Sequence, residues 1–318
     1  MDATINNHTT VTHVTITSDQ AGQRIDNFLM THLKGVPKSY IYRILRKGEV
    51  RVNKGRIKQT YRIQEEDIIR IPPVRLEVRQ TKTPHERMLS TLASHIVYED
   101  EALLVINKPS GMAVHGGSGI DNGVIEGLRA LFPHYSYLEL VHRLDRDTSG
   151  CLMIAKKRSM LRRIHALLRT PQGMKKKYCA LIKGQWHKGL SHINLPLEKN
   201  VVKSGERMVR VSEQGKPALS YVQLAQQYKE AAFVNISIAT GRTHQIRVHT
   251  SHSGHPIAGD PKYGDDEFNQ QLKKEYAFKR LFLHAKKLEF HLPDIDYHLK
   301  VEAPLPDELT ALLQKLER

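Results

Sequence analysis

Between residues 25 and 45 apolar residues recur at helical spacing. Ile25, Phe28, Leu29 and Leu33 form one stripe and Ile41, Ile44 and Leu45 a second, which predicts two short helices, the second stopped by Gly48. "EVRVNKGRI" then alternates Val50 and Val52 with Arg51 and turns at Asn53, Lys54 and Gly55, the pattern of a hairpin. "DIIRIP" closes this unit as a strand ended by Pro72 and Pro73. The stretch "VRLEVRQTKTPHE" is polar and keeps no apolar period, as a linker would. From about Met88 onward the pattern changes. Short apolar runs such as "ALLVINKP", "CLMIAKK", "YCALIKG", "ALSYVQLAQQY" and "AFVNISIATG" alternate with turns and a few helical segments, which predicts one mixed-sheet domain rather than βαβ repeats.

The expected fold class is therefore α+β. A flexible tail over 1–17 precedes a small helix-helix-hairpin domain over 18–73. A linker over 74–87 leads to a larger domain over 88–318, with a mixed, mainly antiparallel central sheet flanked by helices and loops. A chain of 318 residues is long enough for two cores.

Charge narrows the partners. Lys and Arg number 49 against 33 Asp and Glu, a formal net charge of +16, so the chain attracts polyanions: nucleic acid, an anionic membrane surface or acidic small substrates. No apolar run approaches the ~18 residues of a spanning helix, and the amino end lacks the basic start and apolar stretch of a signal peptide; a cytoplasmic protein with no membrane partner is expected. Cys151 and Cys179 sit in apolar runs without zinc-site spacing and read as buried free thiols. Between Lys34 and Arg62 there are ten Lys or Arg and one acid, Glu49. Lys38, Arg43, Arg46, Lys47, Arg51, Lys54, Arg56 and Lys58 all fall on the second predicted helix and the hairpin. A solvated face would carry more acids among them, whereas a phosphate backbone compensates such charge, so these eight are candidate RNA contacts.

Four charged or glycine-punctuated stretches border apolar runs in the larger domain: "NKPSGMAVHGG" at 107–117, "VHRLDRDTSG" at 141–150, "MKKKYCALIKG" at 174–184 and "TGRTHQIRVHTSHSGHPIAGDPKYG" at 240–264. Such placement suits loops gathered at the mouth of a cleft. No repeat and no Rossmann or P-loop glycine pattern is present, so a nucleotide cofactor has no visible seat. Asp145 between arginines, taken alone, reads as a solvated ion pair. His244, His249, His252, His255 and Asp260 admit a second reading, a metal cluster for phosphodiester hydrolysis, although further carboxylate ligands are lacking nearby. A non-catalytic RNA chaperone is a third, which would leave the four stretches unexplained.

"HRLDRDTSG" matches the G/H-R-L-D-x-x-T-S-G signature of the RluA-type pseudouridine synthases, and "KPSGMAVH", "KKKYCALIKG" and "GRTHQIRVH" flank it in that family's order. The segment from Ser18 to Pro73, with "GEVRVNKGRI" and "EEDIIRIP", resembles the S-four-type RNA-binding module. Together the resemblances cover nearly the whole chain after residue 18; Cys151, where an aliphatic residue is commoner, is a departure that touches packing. The resemblance implies isomerisation of uridine to pseudouridine in ribosomal RNA of the large subunit (23S) or a pre-ribosomal particle, with tRNA as the alternative. It implies no cofactor and no metal, and a monomer is the default. By position, Asp145 is the catalytic carboxylate, acting on ribose C1′ as a nucleophile or on a ribose proton as a base. Either role needs it ionised, which arginine charge favours. Arg247 is its partner. Tyr178 stacks on the target base and is a candidate acceptor of its C5 proton, and Arg143 fills the gap left by the flipped uridine. Lys108 and His115 shape the cleft without a chemical step, and Asp147 is a loop or capping group.

Overall fold

The computed structural model describes residues 10–33, 36–74, 83–117, 120–170, 173–187, 189, 191–201 and 207–317. Residues 1–9 of the expected tail and 75–82 of the expected linker lie outside these. The chain divides into two compact units, Met1–Thr81 and Lys82–Arg318.

In the first unit, β1 (Thr12–Thr15), α1 (Ile25–His32), α2 (Lys38–Arg46), β2 (Arg51–Val52), β3 (Gly55–Arg56) and β4 (Ile68–Ile71) follow in order. The apolar stripes of both helices close onto a four-stranded antiparallel sheet of order β1-β4-β2-β3, and Ile25, Leu29, Ile41, Ile44, Ile63, Ile69 and Ile71 are fully buried. Asn53 and Lys54 take φ of 48° and 66°, the two left-handed positions of a tight hairpin turn. The buried Asp67 carboxylate accepts from Asn53 Nδ2, Tyr61 Oη and Gln64 N, which knits hairpin to strand. One expectation is corrected here. Thr12–Thr15, placed in the flexible tail, pairs along β4 with Val14 opposite Ile69. β4 would otherwise leave an unpaired edge, and Val14 and Ile16 face the same core, so this short alternation has both a partner and a side to bury.

The second unit comprises α3 (Glu86–Ser94), β5 (Ile96–Glu99), β6 (Leu103–Lys108), α4 (Val124–Leu131), β7 (Glu139–Leu140), β8 (Ser149–Ala155), α5 (Arg158–Arg169), β9 (Met174–Lys183), β10 (His192–Asn194), β11 (Leu197–Val201) and β12 (Arg207–Val211). It continues with β13 (Leu219–Gln227), β14 (Ala231–Ile238), α6 (Gln245–His252), α7 (Asp266–Tyr276), β15 (Leu283–Leu292), β16 (Tyr297–Glu302) and α8 (Asp307–Leu316). α3 thus starts inside the stretch expected to be linker: Leu92 is fully buried and Met88 packs against the same cluster. The large sheet runs β10-β13-β14-β9-β15-β8-β6-β5, with β16 on β15 and β7 on β8. Among its described pairings only β15 with β8 is parallel, so the sheet is mixed and mainly antiparallel, as the spacing of turns predicts.

β8 is buried at all its positions. Cys151 and Met153 pack in the cluster that contains residues of α5, while Leu152 and Ile154 pack in the cluster that contains residues of α3 and α4. Cover on both faces is why the sequence here reads as a continuous apolar run rather than an alternation. Gly150, at φ 109°, passes so close to β15 that a β-carbon would lie 2.3 Å from the Ala285 carbonyl oxygen. Cys151 and Cys179 are buried and free, and burial pushes their thiols up to about 11 and about 12, away from reactive thiolate. No described helix is long and apolar enough to cross a membrane.

Candidate active site

Asp145 sits on the turn between β7 and β8, and the "NKPSGM" stretch at the end of β6 is the frame that holds this turn. Lys108 Nζ, fully buried, donates to the carbonyls of Pro109, Met112 and Arg146, each at 2.9 Å. Gly111 N donates to the Arg146 carbonyl at 3.0 Å, Arg146 Nε returns a bond to Gly111 O at 3.0 Å, and Ser110 Oγ donates to Asp147 O at 2.7 Å. Burial draws the Lys108 pKa down to about 7. Three carbonyl acceptors, however, call for three N–H donors, which only the ammonium supplies, so the charged form is the one this arrangement holds.

The Asp145 carboxylate is 26% exposed and meets the buried guanidinium of Arg247, whose Nη1 lies 3.3 Å from Oδ2. Arg247 projects from the first turn of α6, and its fork is occupied on the other side by Asp260, with Nε and Nη2 each 2.7 Å from a carboxylate oxygen. Asp260 also accepts the backbone N–H groups of Lys262 and Tyr263. Burial alone would lower the pKa of Arg247, but the bidentate bond to Asp260 and the two carboxylate charges outweigh it and hold it above the ordinary value. Burial opposes ionisation of Asp260 too, and there the Arg247 bonds win, leaving its carboxyl below the usual range. A bidentate pair of this kind fixes direction as well as charge.

Around the carboxylate a pocket is lined by Arg143, Leu144, Thr148, Tyr178, Ile238, Arg242, His244 and Leu283, among others. Tyr178 comes from β9, opposite Ile236 of β14; Arg143 is exposed at the rim. Burial, helped by the Asp145 charge, pushes the Tyr178 phenol up, so at neutral pH it is an un-ionised ring. The structure thus brings Asp145, Arg247, Tyr178 and Arg143 to one pocket. His115 is exposed, bonded to the Gly116 carbonyl, and does not line it.

Comparison with known proteins shows the family. A family model described as RNA pseudouridylate synthase matches residues 102–252, and one for the S4 domain matches residues 23–69. The ribosomal large subunit pseudouridine synthase C of Escherichia coli K12 is 56% identical over 306 residues, 95% of this chain and 96% of that protein. That of Yersinia pestis is 53% identical over 98% of both. The chain belongs to the RNA pseudouridine synthase family. Among solved structures, human RNA pseudouridylate synthase domain containing 4 shares 27% identity at a TM-score of 0.58, covering 73% of this synthase and 96% of that chain.

Of the histidines that suggested a metal cluster, His244 lines the pocket, but the other histidines do not join it there. His249 is buried between Ser220 Oγ and the Leu195 carbonyl, His255 bonds the Lys183 carbonyl, and Asp260 is committed to Arg247. Among the described residues the histidine and carboxylate groups close enough to share an ion are His291, Asp296 and His298, an exposed set outside the pocket. The hydrolase reading therefore finds no ligand set in 244–260.

Several residues of the site carry no clear signal in the sequence, or one that points to another role. Asp260 reads there only as a metal ligand. Lys176, two positions before Tyr178 and so on the same strand face, is half-buried, and burial lowers its pKa. Ser149 belongs to a polar chain beneath the turn. Arg280 Nη2 donates to Ser149 Oγ at 2.7 Å, Ser149 Oγ lies 2.9 Å from His284 Nδ1, and His284 Nε2 lies 3.2 Å from the Ala303 carbonyl. Burial takes His284 down to about 4, a neutral structural imidazole.

In the S4-type unit, Lys38, Arg43, Arg46, Lys47, Arg51, Lys54, Arg56 and Lys58 are all exposed or at the surface. Arg51 pairs with Arg56 across the hairpin, and the Arg56 side chain lies over Gly48 at the end of α2. The end of the helix and the basic hairpin are therefore adjacent.

Proposed function

We propose that the synthase converts specific uridines of large-subunit ribosomal RNA to pseudouridine, with Asp145 acting on a uridine flipped into the pocket. The observation that carries the reading is the carboxylate itself: partly exposed at the pocket, held through one oxygen by Arg247, which Asp260 clamps, and facing a pocket that includes an un-ionised tyrosine ring. The names of the relatives at 53–56% identity support the large-subunit target.

The reaction breaks the N-glycosidic bond, turns the uracil while it stays bound, and joins its C5 to ribose C1′; the proton on C5 leaves and N1 gains one. Asp145 serves as nucleophile on C1′ or as base toward a ribose proton. In both cases its negative charge is consumed. That charge returns as C5 joins C1′, before the proton on C5 leaves. On this reading Arg143, exposed at the rim, fills the gap left in the RNA stack.

Mapping pseudouridines in large-subunit RNA from cells with and without the synthase tests the substrate; sites that vanish with the protein are expected, and an unchanged map overturns it. Tritium release from C5-labelled uridine in a transcript is expected to proceed undiminished in excess EDTA. Loss of activity on chelation would revive a metal mechanism.

The basic surface of the S4-type unit makes a separate prediction. If Arg43, Arg46, Lys47, Arg51, Lys54 and Arg56 bind phosphates, replacing them by Gln weakens RNA binding and flattens its log–log salt dependence by ~0.7–0.9 for every phosphate no longer neutralised. The single-turnover rate at saturating RNA stays near that of the parent. An unchanged salt slope measured by filter binding would remove these residues from the RNA interface.

A further inference from the structure

His244 stands just before α6 in the left-handed region, at φ 53°, a conformation that costs a non-glycine residue of order 1 kcal/mol and persists where surroundings impose it. Its ring is hydrogen-bonded through one nitrogen and faces Asp145 with the other. Nδ1 lies 2.8 Å from the Tyr263 hydroxyl, whose oxygen accepts the backbone N–H of Val209 on β12 at 2.9 Å. Nε2 lies 3.8 Å from Oδ1 of Asp145, the oxygen that Arg247 does not bond. Tyr263 is fixed in turn: its ring centre is 5.1 Å from the Arg247 guanidinium carbon, it meets His244 edge-on at 5.5 Å, and its backbone N–H donates to Asp260.

Proton positions follow from these contacts. A neutral imidazole carries one N–H. On Nδ1, that proton would leave a lone pair of Nε2 facing a carboxylate and would ask the Tyr263 oxygen to accept twice. On Nε2, it lets Tyr263 O–H donate to Nδ1 and directs a donor at Asp145. The second arrangement satisfies each group. Burial pulls the His244 pKa below its ordinary value, outweighing the Asp145 charge, so the ring stays neutral and offers the carboxylate a donor without handing it a proton.

We infer that His244, locked by Tyr263 as the Nε2–H tautomer, is a positioning residue for Asp145, orienting Oδ1 while Arg247 orients Oδ2. The inference rests on the role proposed above for Asp145. Arg247 already bonds one oxygen, and the 3.8 Å separation from the other is of the kind that closes to a hydrogen bond when substrate seats, so that two fixed donors then hold the carboxylate to one rotamer. A tyrosine that holds an imidazole tautomer from behind does here what an orienting carboxylate does in a catalytic triad.

The test is single-turnover kinetics of the full-length synthase on a transcript carrying the target uridine, with RNA dissociation constants measured beside it. His244→Ala is expected to lower the saturating rate about 100-fold with an unchanged dissociation constant. His244→Gln, which returns an N–H near the same point, is expected to recover at least about ten-fold of that, and Tyr263→Phe to lose about ten-fold. 15N spectra of histidine-labelled protein are expected to show His244 protonated at Nε2 in the parent and a mixture of tautomers in Tyr263→Phe; these hold even if His244→Ala fails to fold. An Nδ1–H tautomer in the parent, a His244→Ala rate equal to the parent's, or no recovery with Gln overturns the inference. Asp145→Asn run in parallel separates the two claims: activity in that variant defeats the proposed role of Asp145 itself, whereas an inactive Asp145→Asn beside a fully active His244→Ala defeats only the positioning.

Discussion

Asp145→Asn is expected to bind the target transcript as tightly as the parent and to form pseudouridine at least about 10⁴-fold more slowly. The amide has the shape of the carboxylate and its oxygen can still accept from Arg247, but it is neither a useful nucleophile toward C1′ nor a base toward a ribose proton. The backbone turn that carries it is held through main-chain groups of Arg146 and Asp147 and through Lys108, none of which the substitution touches. Arg247 keeps its two bonds to Asp260, so no buried charge is stranded and the melting temperature should move by only a few degrees. Single-turnover conversion followed by tritium release, with a thermal melt as control, decides the matter. A rate within about ten-fold of the parent would remove Asp145 from the chemistry.

How much of this site is legible in the sequence depends on whether the informative signal is local. The two helices of the first unit are readable because their apolar stripes lie within one window. Asp145, Arg247, Tyr178 and Arg143 can be named because each sits in a stretch whose residue types resemble a family pattern. Asp260 carries equal structural weight but reads as a metal ligand. It lies among histidines in the sequence, and only the fold turns those rings toward Ser220, Lys183 and Tyr263 while turning the carboxylate toward Arg247. Lys108 can be assigned to the cleft but not given a task, because a lysine is rarely fully buried; what makes burial tolerable is three carbonyls converging from two segments 38 residues apart. Thr12–Thr15 escapes notice because four residues of alternation are too short to distinguish from a tail until a partner edge is known. Gly150 stands out as part of a motif, yet its necessity is steric and lies in Ala285, far along the chain.

The buried pair makes the remaining prediction. Arg247→Met is expected to abolish turnover, because Asp145 loses its charge partner and its orientation, and also to cost about 3–5 kcal/mol of stability by leaving Asp260 buried without a cation. For a unit of this size that is a fall of roughly 10 °C in Tm. The two effects can be separated. In Arg247→Met/Asp260→Asn the buried charge is gone and the amide oxygen can still accept from Lys262 and Tyr263, so at least half of the lost stability should return while turnover does not. pH supplies an independent check with a definite sign. In the parent, the lowered pKa of Asp260 contributes stability that is present above the ordinary carboxylate range and lost as pH falls through the folded-state value. In Arg247→Met the lowering partner is missing and burial alone raises that pKa, so Asp260 can protonate at higher pH and relieve its own penalty. The gap in Tm between parent and Arg247→Met should therefore narrow on going from about pH 8 to about pH 5, while the double variant shows little such narrowing. If stability returned in the double variant together with turnover, Arg247 would be a structural residue only; if the gap failed to narrow, Asp260 would not be the stranded charge.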